Sequence, residues 1–457
     1  MNRIFLKIDF ALLLMICLLQ MLMPIGAPAQ TSIENPIKSG LRPDEPLGLK
    51  DCLRKALRDN PQLAEARLAV SAGEKGIDSA WAKHLPRVFL DANYTKRQDP
   101  WPYIPAQANN IFPHFSDEFS SWTLAMGLPI YRGGQLLNAV ELSKIRKTLQ
   151  EETLAMTGNE IIANTVNTYN KILQLQKLRG ASQVSVTALE KQQRDSQRLF
   201  DVGRIAKVDL LKVEVQLANE RQRLLSLDEG LANMAGTLFY LMGESVDGPA
   251  LLPLLSDHMT MPKIPVDFDQ GLMTAQKKRP EYRMAMTSLQ EAGINRDLAK
   301  GKLFPSVDAF AGYMDQYGFD PWYKEANWFA GINFSMPLFE KSFYDELAKE
   351  RILEEKAGKH LAAVENQLRI DLQTAISSLK ESENRVFTSQ KATEQAEESF
   401  RIEQKKYQSG AGAIVDLLFA QSAYVTAVAN HSQSLFDYNA AIVAYRKVTG
   451  TLEEYVQ

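Results

Sequence analysis

The chain contains an internal duplication: short motifs of its first half return in the same order in its second half. Val208-Asp209-Leu210-Leu211 returns unchanged as Val415-Asp416-Leu417-Leu418, and three other pairs keep the same order: Leu85-Pro86 with Phe304-Pro305, Leu128-Pro129 with Met336-Pro337, and Gly243 with Gly450. Ordered repetition predicts two copies of one structural unit. We place the first repeat at 47–243, a linker at 244–264, the second repeat at 265–450 and a tail at 451–457.

The N-terminus predicts a secretory signal peptide over 1–29. Arg3 and Lys7 are basic, residues 10–23 are apolar, and Ala27 and Ala29 are small residues at the expected cleavage site. The apolar run is shorter than the ~20 residues that cross a bilayer as a helix. Residues 30–46 follow as an extended segment. Cleavage would leave Cys52 as the one cysteine, whose amphipathic surroundings predict a small buried helix residue.

Each repeat begins with helices, which are followed by two segments in which apolar and polar residues alternate. The alternation predicts strands at 87–96, 120–129, 306–315 and 327–337, each about ten residues long, as membrane strands are. Aromatic residues at the strand ends are typical of the membrane–water interface: Tyr94, Trp122, Tyr313 and Trp328. A soluble sheet with one solvated face stays open as an alternative on these segments alone.

Each strand pair is followed by a long helical pattern. Residues 135–200 and 342–407 contain no proline, and their apolar residues recur at three- and four-residue spacing. We expect helical hairpins at 134–243 and 342–450, with first helices roughly 100 Å long at 1.5 Å per residue.

Four strands are too few to close a membrane barrel, which needs about eight. Unpaired strand edges are not tolerated in lipid. Several copies must therefore share one barrel, and three copies would supply about twelve strands.

The sequence resembles the TolC-like outer-membrane factors over about 47–450. The resemblance rests on the duplicated plan and on two motifs, Gly203-Arg204-Ile205-Ala206-Lys207-Val208-Asp209 and Gly410-Ala411-Gly412-Ala413-Ile414-Val415-Asp416. It implies a mixed α and β membrane protein: a trimeric 12-stranded β-barrel, four strands per protomer, continuing into a long periplasmic α-helical coiled-coil tunnel. It further implies a homotrimer in the outer membrane, in contact with its lipid, docked to a periplasmic adaptor protein and an inner-membrane pump.

The same resemblance suggests site residues. Gly203, Arg204, Gly410 and Ala411 fall at the adaptor-docking tips. Tyr407 and Asp209 match a pair that holds the tunnel entrance shut in relatives, and Asp416 matches a carboxylate that rings the constriction and favours cations. Two positions depart from the family pattern: Gly412 replaces the gate arginine, and Phe419 replaces a second ring carboxylate. Three phenylalanines could form an apolar constriction that gates by dewetting.

Catalysis and nucleic-acid binding find no support in the sequence. The formal net charge is −3, without the basic excess that nucleic acid requires. Neither a phosphate-binding glycine loop nor a His-Glu-x-x-His motif occurs, and the five histidines are scattered. We expect no enzyme activity, no cofactor and no metal site.

Three functional hypotheses remain. The first is a passive exit duct of a tripartite efflux system for small toxic compounds. The second is the outer-membrane duct of a type I protein secretion system. The third belongs to another class, a periplasmic coiled-coil scaffold without a pore; the alternating strands with their aromatic residues speak against it.

Overall fold

The computed structural model describes residues 47–96, 118–245, 255–319 and 322–456. The predicted signal peptide 1–29, the extended segment 30–46 and the outer loop between the first two strands lie outside these ranges.

Eight α-helices and four strands follow each other in two similar series within the described residues. The first series is α1 (Leu49–Asp59), α2 (Pro61–Ala82), β1 (Arg87–Lys96), β2 (Glu118–Arg132), α3 (Gln135–Asp201) and α4 (Lys207–Leu241). The second is α5 (Phe268–Lys278), α6 (Pro280–Gly301), β3 (Ser306–Phe319), β4 (Trp322–Ser335), α7 (Lys341–Gln408) and α8 (Ile414–Thr449), followed by a 3₁₀ turn at Leu452–Tyr455. None of the helices described is long and apolar enough to cross a membrane.

The helices lie side by side in four columns. Column 1 is α2 with α4, column 2 is α3, column 3 is α6 with α8, and column 4 is α7; neighbouring columns are in contact along their lengths. The long helices α3 and α7 have 67 and 68 residues, and each runs beside two shorter helices stacked end to end. The long helices α3 and α7 are therefore continuous where the neighbouring columns are divided, and each holds two stacked helices together.

Matched junctions join the stacked helices. The αL glycine Gly243, at the end of α4, lies against the backbone of Asp59, just before Pro61 begins α2. Its repeat counterpart Gly450 lies against Lys278 and Arg279, just before α6. Proline is favoured at a first helical position because its missing N–H has no helical partner there. The duplication therefore extends to the joints.

The four strands form one antiparallel sheet in the order β1-β2-β3-β4. β1 leaves column 1, β2 enters column 2, β3 leaves column 3 and β4 enters column 4. Sheet and helical layer are thus ordered alike, with β1 and β4 as the two edge strands. One continuous wall four elements wide follows from this order.

Cross-strand register places the alternating side chains on two distinct faces. Registered partners share a face of the sheet. One face carries most of the apolar side chains: Val88, Leu90, Ala92, Trp122, Leu124, Met126, Ala309, Ala311, Tyr313, Trp328, Ile332 and Phe334. The opposite face carries Asp91, Asn93, Ser121, Thr123, Asp308, Gln316, Glu325, Asn327 and Asn333. A soluble sheet would bury its apolar face, whereas Trp328 is 79% exposed in this chain.

The strands differ in length from the sequence expectation. β2 extends to Arg132 because its pairing with β3 continues beyond a register shift between Pro129 and Tyr131. β4 begins at Trp322, earlier than the expected 327, and ends at Ser335, before Pro337. The aromatic row consequently lies inside the strands rather than at their ends: Trp122 and Tyr313 have ring centroids 5.5 Å apart, and Tyr313 is the register partner of Trp328.

The linker before α5 is hydrogen-bonded to the helical layer. Asp257 accepts hydrogen bonds from the Tyr169 hydroxyl at 2.8 Å and the Leu49 amide at 2.9 Å, and the Tyr438 hydroxyl donates to the Pro262 carbonyl at 2.7 Å. The hydrogen bond from the Leu49 amide is the main cause of the lowered pKa of Asp257. Cys52 nearby is fully buried, as expected, and burial raises its pKa to about 12.

Candidate functional site at the hairpin tips

Both hairpin tips turn through the same helix-ending motif. At the first tip the Gly203 amide donates to Phe200 O at 2.8 Å and the Arg204 amide to Leu199 O at 2.7 Å. At the second, Gly410 donates to Tyr407 O at 3.0 Å and Ala411 to Lys406 O at 2.9 Å. Both glycines have φ above +70°, which glycine adopts without strain. The duplicated glycines are therefore required by the turn itself, whatever else they do.

The two tips are held together by a small apolar cluster. Val213 at the start of α4 packs with Ile414 and Leu417 at the start of α8, and Phe400 and Tyr407 cover it. Val213 is fully buried. The first turns of α4 and α8 are consequently fixed relative to each other, and with them the two acidic positions that follow the tips.

Tyr407 and Asp209 do not bond to each other within one chain, as far as its described residues show. Asp209 pairs with Lys212 at 3.3 Å on its own helix, and the Tyr407 ring is half-buried against the apolar cluster. A link between these residues on different copies stays a prediction.

Asp416 and Phe419 stand one turn apart on α8, and both are exposed. Phe419 is 77% exposed and borders two grooves. A groove of about 500 Å³ between α4 and α8 is lined by Phe419 together with Val208, Leu211, Val215 and Val415. All five side chains are at least 46% exposed, which leaves an apolar patch beside the acidic residue in the isolated chain.

Gly412 has a local reason to lack a side chain. A Cβ at this position would lie 3.0 Å from Lys406 Cβ and 3.1 Å from Tyr407 N. Because one of these atoms is backbone, the turn would have to move to admit any larger residue. The absence of a side chain at position 412 therefore fits the close approach of residues 406 and 407.

Polar contacts behind the tips were not anticipated from the sequence. Ser182 of α3 donates to the buried Glu220 of α4 at 2.6 Å, and one turn later Ser185 accepts from Gln421 of α8 at 3.2 Å. In the sequence, these polar residues interrupt the apolar stripes of their helices, and that interruption is the signal from which the contacts could have been predicted. They form a polar layer across columns 1, 2 and 3 within an otherwise apolar interface.

His431 lies on α8 in column 3, which stands between column 2 (α3) and column 4 (α7). Its Nδ1 is 3.2 Å from Ser389 Oγ on α7. Burial, followed by the positive charge of Lys177 on α3, lowers the pKa of His431, while Glu394 on α7 acts in the opposite direction. The imidazole is therefore favoured in its neutral form at neutral pH.

The tips differ in charge. Arg204 and Lys207 are exposed at the first tip, and Asp209 follows them; the second tip is Gly410-Ala411-Gly412-Ala413 before Asp416. Within the described residues no group of three or more His, Cys, Asp or Glu side chains could hold a metal ion. The tips consequently offer a shaped surface with two carboxylates, rather than a cluster of converging reactive groups.

A membrane-type sheet that continues into long paired helices defines a class of channel-forming envelope proteins. The profile of the outer membrane efflux protein family matches residues 52–244 and 272–451, which is most of the chain and both repeats. The chain belongs to the outer membrane efflux protein family, and it is a protein of the outer membrane.

Individual relatives agree with this assignment. The outer membrane protein TolC of Salmonella enteritidis is 22% identical over 440 residues, covering 89% of this chain and 82% of that protein. The alkaline protease secretion protein AprF of Pseudomonas aeruginosa is 20% identical, covering 89% of this chain and 85% of its own. The crystal structure of the Campylobacter jejuni CmeC outer membrane channel superimposes with a TM-score of 0.77 at 16% identity, covering 88% of this chain and 85% of that chain.

Proposed function

We propose that three copies of this chain form the passive exit duct of a tripartite efflux system that exports small toxic compounds. The observation that carries the proposal is the shared order of the four strands and the four helical columns. The wall has two open edges, β1 with column 1 and β4 with column 4. Copies placed edge to edge would continue both layers at once.

Both helical edges expose apolar side chains that lack a neighbour in the single chain. On α7 the exposed set is Tyr344, Ile352, Ile370, Phe387 and Ile402. Helical periodicity places Ile352, Ile370 and Ile402 opposite the buried stripe of Leu368, Leu372, Leu379 and Val386. On α4 the exposed set is Leu225 and Tyr240, apart from the residues that line the groove beside α8. Contact between copies would remove both sets from water, which supports edge-to-edge assembly.

The tips supply the proposed entrance. In a closed ring, Asp416 and Phe419 from each copy would form adjacent acidic and apolar rings at the constriction. A bond between Tyr407 and Asp209 of different copies would hold the entrance shut. The exposed residues Gly203, Arg204, Gly410 and Ala411 would receive the hairpins of a periplasmic adaptor, and through it an inner-membrane pump.

Planar-bilayer recording tests the duct. Purified full-length protein is expected to give discrete conductance steps, and native mass spectrometry is expected to find three copies. Absence of conductance, even after Asp416→Ala and Phe419→Ala are combined to widen the constriction, would contradict the proposal and favour a scaffold without a pore.

A protein-secretion duct is the second candidate, because the relative AprF bears a protease-secretion name. Expression in strains lacking either their own efflux channel or their own secretion channel separates the two. Restored resistance to small toxic compounds supports efflux. Restored protein release without restored resistance would replace it with secretion.

A further inference from the structure

The polar face of the sheet carries an aromatic cluster that the proposed duct does not by itself explain. Phe89, Phe310 and Phe329 lie on this face, among glycine and alanine. Register places Phe89, Ala125, Gly312 and Phe329 in one row across all four strands. The next row is Arg87, Gly127, Phe310 and Gly331. We call Phe89, Phe310 and Phe329 the inner aromatic belt.

Two of these rings lie over glycines of the neighbouring strand. The Phe329 ring reaches over Gly312, where a Cβ would be 2.5 Å from Phe329 Cζ. Reciprocally, the Phe310 ring reaches over Gly331, where a Cβ would be 2.7 Å from Phe310 Cζ. The two ring centroids are 6.1 Å apart. The two ring planes are tilted by 46°, and the glycine beneath each ring has no side chain that could cover it.

The belt is accessible and lies next to acidic side chains. Phe89 and Phe310 are 42% and 41% exposed. Asp91 follows Phe89 on the same face of β1, about 7 Å further along the strand, and Glu325 lies two same-face positions from Phe329 on β4. Asp308 is neutralised by Arg132 at 2.8 Å, and Arg87 supplies one opposing charge. The net charge of the remaining side chains on this face is negative from the belt toward the end of the sheet where the strands meet their loops, because Asp91 and Glu325 lie there.

We infer that the inner aromatic belt is a transit-binding site for planar aromatic cations inside the barrel. The inference rests on the proposed duct, in which the polar face lines the lumen. Exposed ring faces attract cations through the ring quadrupole and stack with planar ligands. Asp91 and Glu325 add charge complementarity on the exit side. Three copies would place nine such rings in two adjacent rows of the lumen.

Ethidium, a planar aromatic cation, is the probe. In planar bilayers we expect ethidium to cause brief current blocks in the wild-type channel. Phe310→Leu combined with Phe329→Leu keeps the glycines covered but removes the π faces. We expect blocks roughly tenfold shorter in this variant, since two cation–π contacts, one to the exposed Phe310 and one to the half-buried Phe329, together carry about that factor. The lipid-face variant Phe334→Leu on the same strand is the matched control and should behave as wild type.

A second probe separates stacking from cation–π attraction alone. Tetrabutylammonium, a cation without rings, is attracted to ring faces but cannot stack on them, so the double variant should shorten its blocks less than those of ethidium. Unchanged ethidium blocks in a double variant that still conducts would overturn the belt while leaving the duct intact. Equal shortening for both cations would also overturn it, because the belt would then not select planar aromatic cations. Absence of any conductance in wild-type protein would overturn the duct and the belt together.

Discussion

The side-chain amide of Asn60 donates to the carbonyl oxygen of Leu241 at 3.0 Å, while its Oδ1 accepts from the Gln62 amide at 2.9 Å. One buried residue thus caps the start of α2 and satisfies the end of α4. The hydrogen bonds convert two separate helices into one column beside α3. In the second repeat the equivalent position is Arg279, which reaches Asp371 of α7 at 2.9 Å instead.

Asn60→Ala should destabilise the protein by about 1–2 kcal/mol, because it removes a helix cap and leaves the Leu241 carbonyl without its partner. Urea unfolding followed by circular dichroism measures the change. The exposed α4 residue Asn233 is the control: Asn233→Ala should be neutral or slightly stabilising, since alanine favours helix. Equal losses at the two positions would show that the junction contributes nothing specific.

Gly412→Ala should loosen the second tip. Its Cβ would press on Tyr407 N and Lys406 Cβ, so the turn must shift, at a cost of about 1 kcal/mol or more. Faster amide exchange at 405–412 is the expected readout. Gly358 of α7 is the matched control, because a Cβ there meets nothing within 4 Å; Gly358→Ala should stabilise by up to about 1 kcal/mol. Unchanged exchange in Gly412→Ala would show that the second tip accommodates a side chain.

Asp416→Asn should weaken cation preference in reversal-potential measurements under a salt gradient, because three carboxylates would leave the proposed constriction. The substitution keeps side-chain size, so conductance in symmetric salt should change less than selectivity does. Glu65→Gln, on the exposed side of α2 far from the tips, should leave selectivity unchanged. If Asp416→Asn retains full cation preference, the constriction lies elsewhere.

Phe419→Ala should lengthen the open time of the channel, since removal of three large apolar side chains would ease wetting of the constriction. Dwell-time analysis at fixed voltage measures this. Phe339→Ala is a control of the same size change at an exposed position just before α7. Identical open times in wild type and Phe419→Ala would assign the side chain to packing between copies.

His431 predicts a pH dependence of stability. Its pKa in the folded protein is lowered below the ordinary value near 6.5, so its contribution is complete above about pH 6.5 and is lost as the pH falls below it. The unfolding free energy should therefore drop between pH 7.5 and 5.5 by a larger amount in wild type than in His431→Gln. His360→Gln, at an exposed position of α7, should retain the wild-type slope. A slope unchanged by His431→Gln would assign the pH dependence to other groups.

Much of the architecture was readable from the residues. The paired motifs revealed the duplication, alternation located the four strands, and proline-free stretches located α3 and α7. Each of these signals is local, because strand and helix periodicity depend on neighbouring residues alone. The order of strands in the sheet and of columns in the layer is not local, and no spacing in the sequence specified it.

The tips illustrate the same division. Gly203 and Gly410 could be predicted because an αL turn between helices requires glycine. The bond between Ser182 and Glu220 and the apolar groove around Phe419 could not, since each joins segments far apart in the chain. The contacts of Gly412 with residues 406 and 407 and of Asp209 with Lys212 are local, and no sequence motif marks them.

The duplicated sequence by itself determined two similar units, their strands and their long helices, because these follow from local periodicity and turn chemistry. Only the tertiary structure decided that the units stand side by side with two open edges, and that their apolar side chains divide between two faces. The physical reason is that cross-strand register and column order arise from contacts between distant segments. Those contacts also place Phe310 over Gly331 and Val213 beside Ile414.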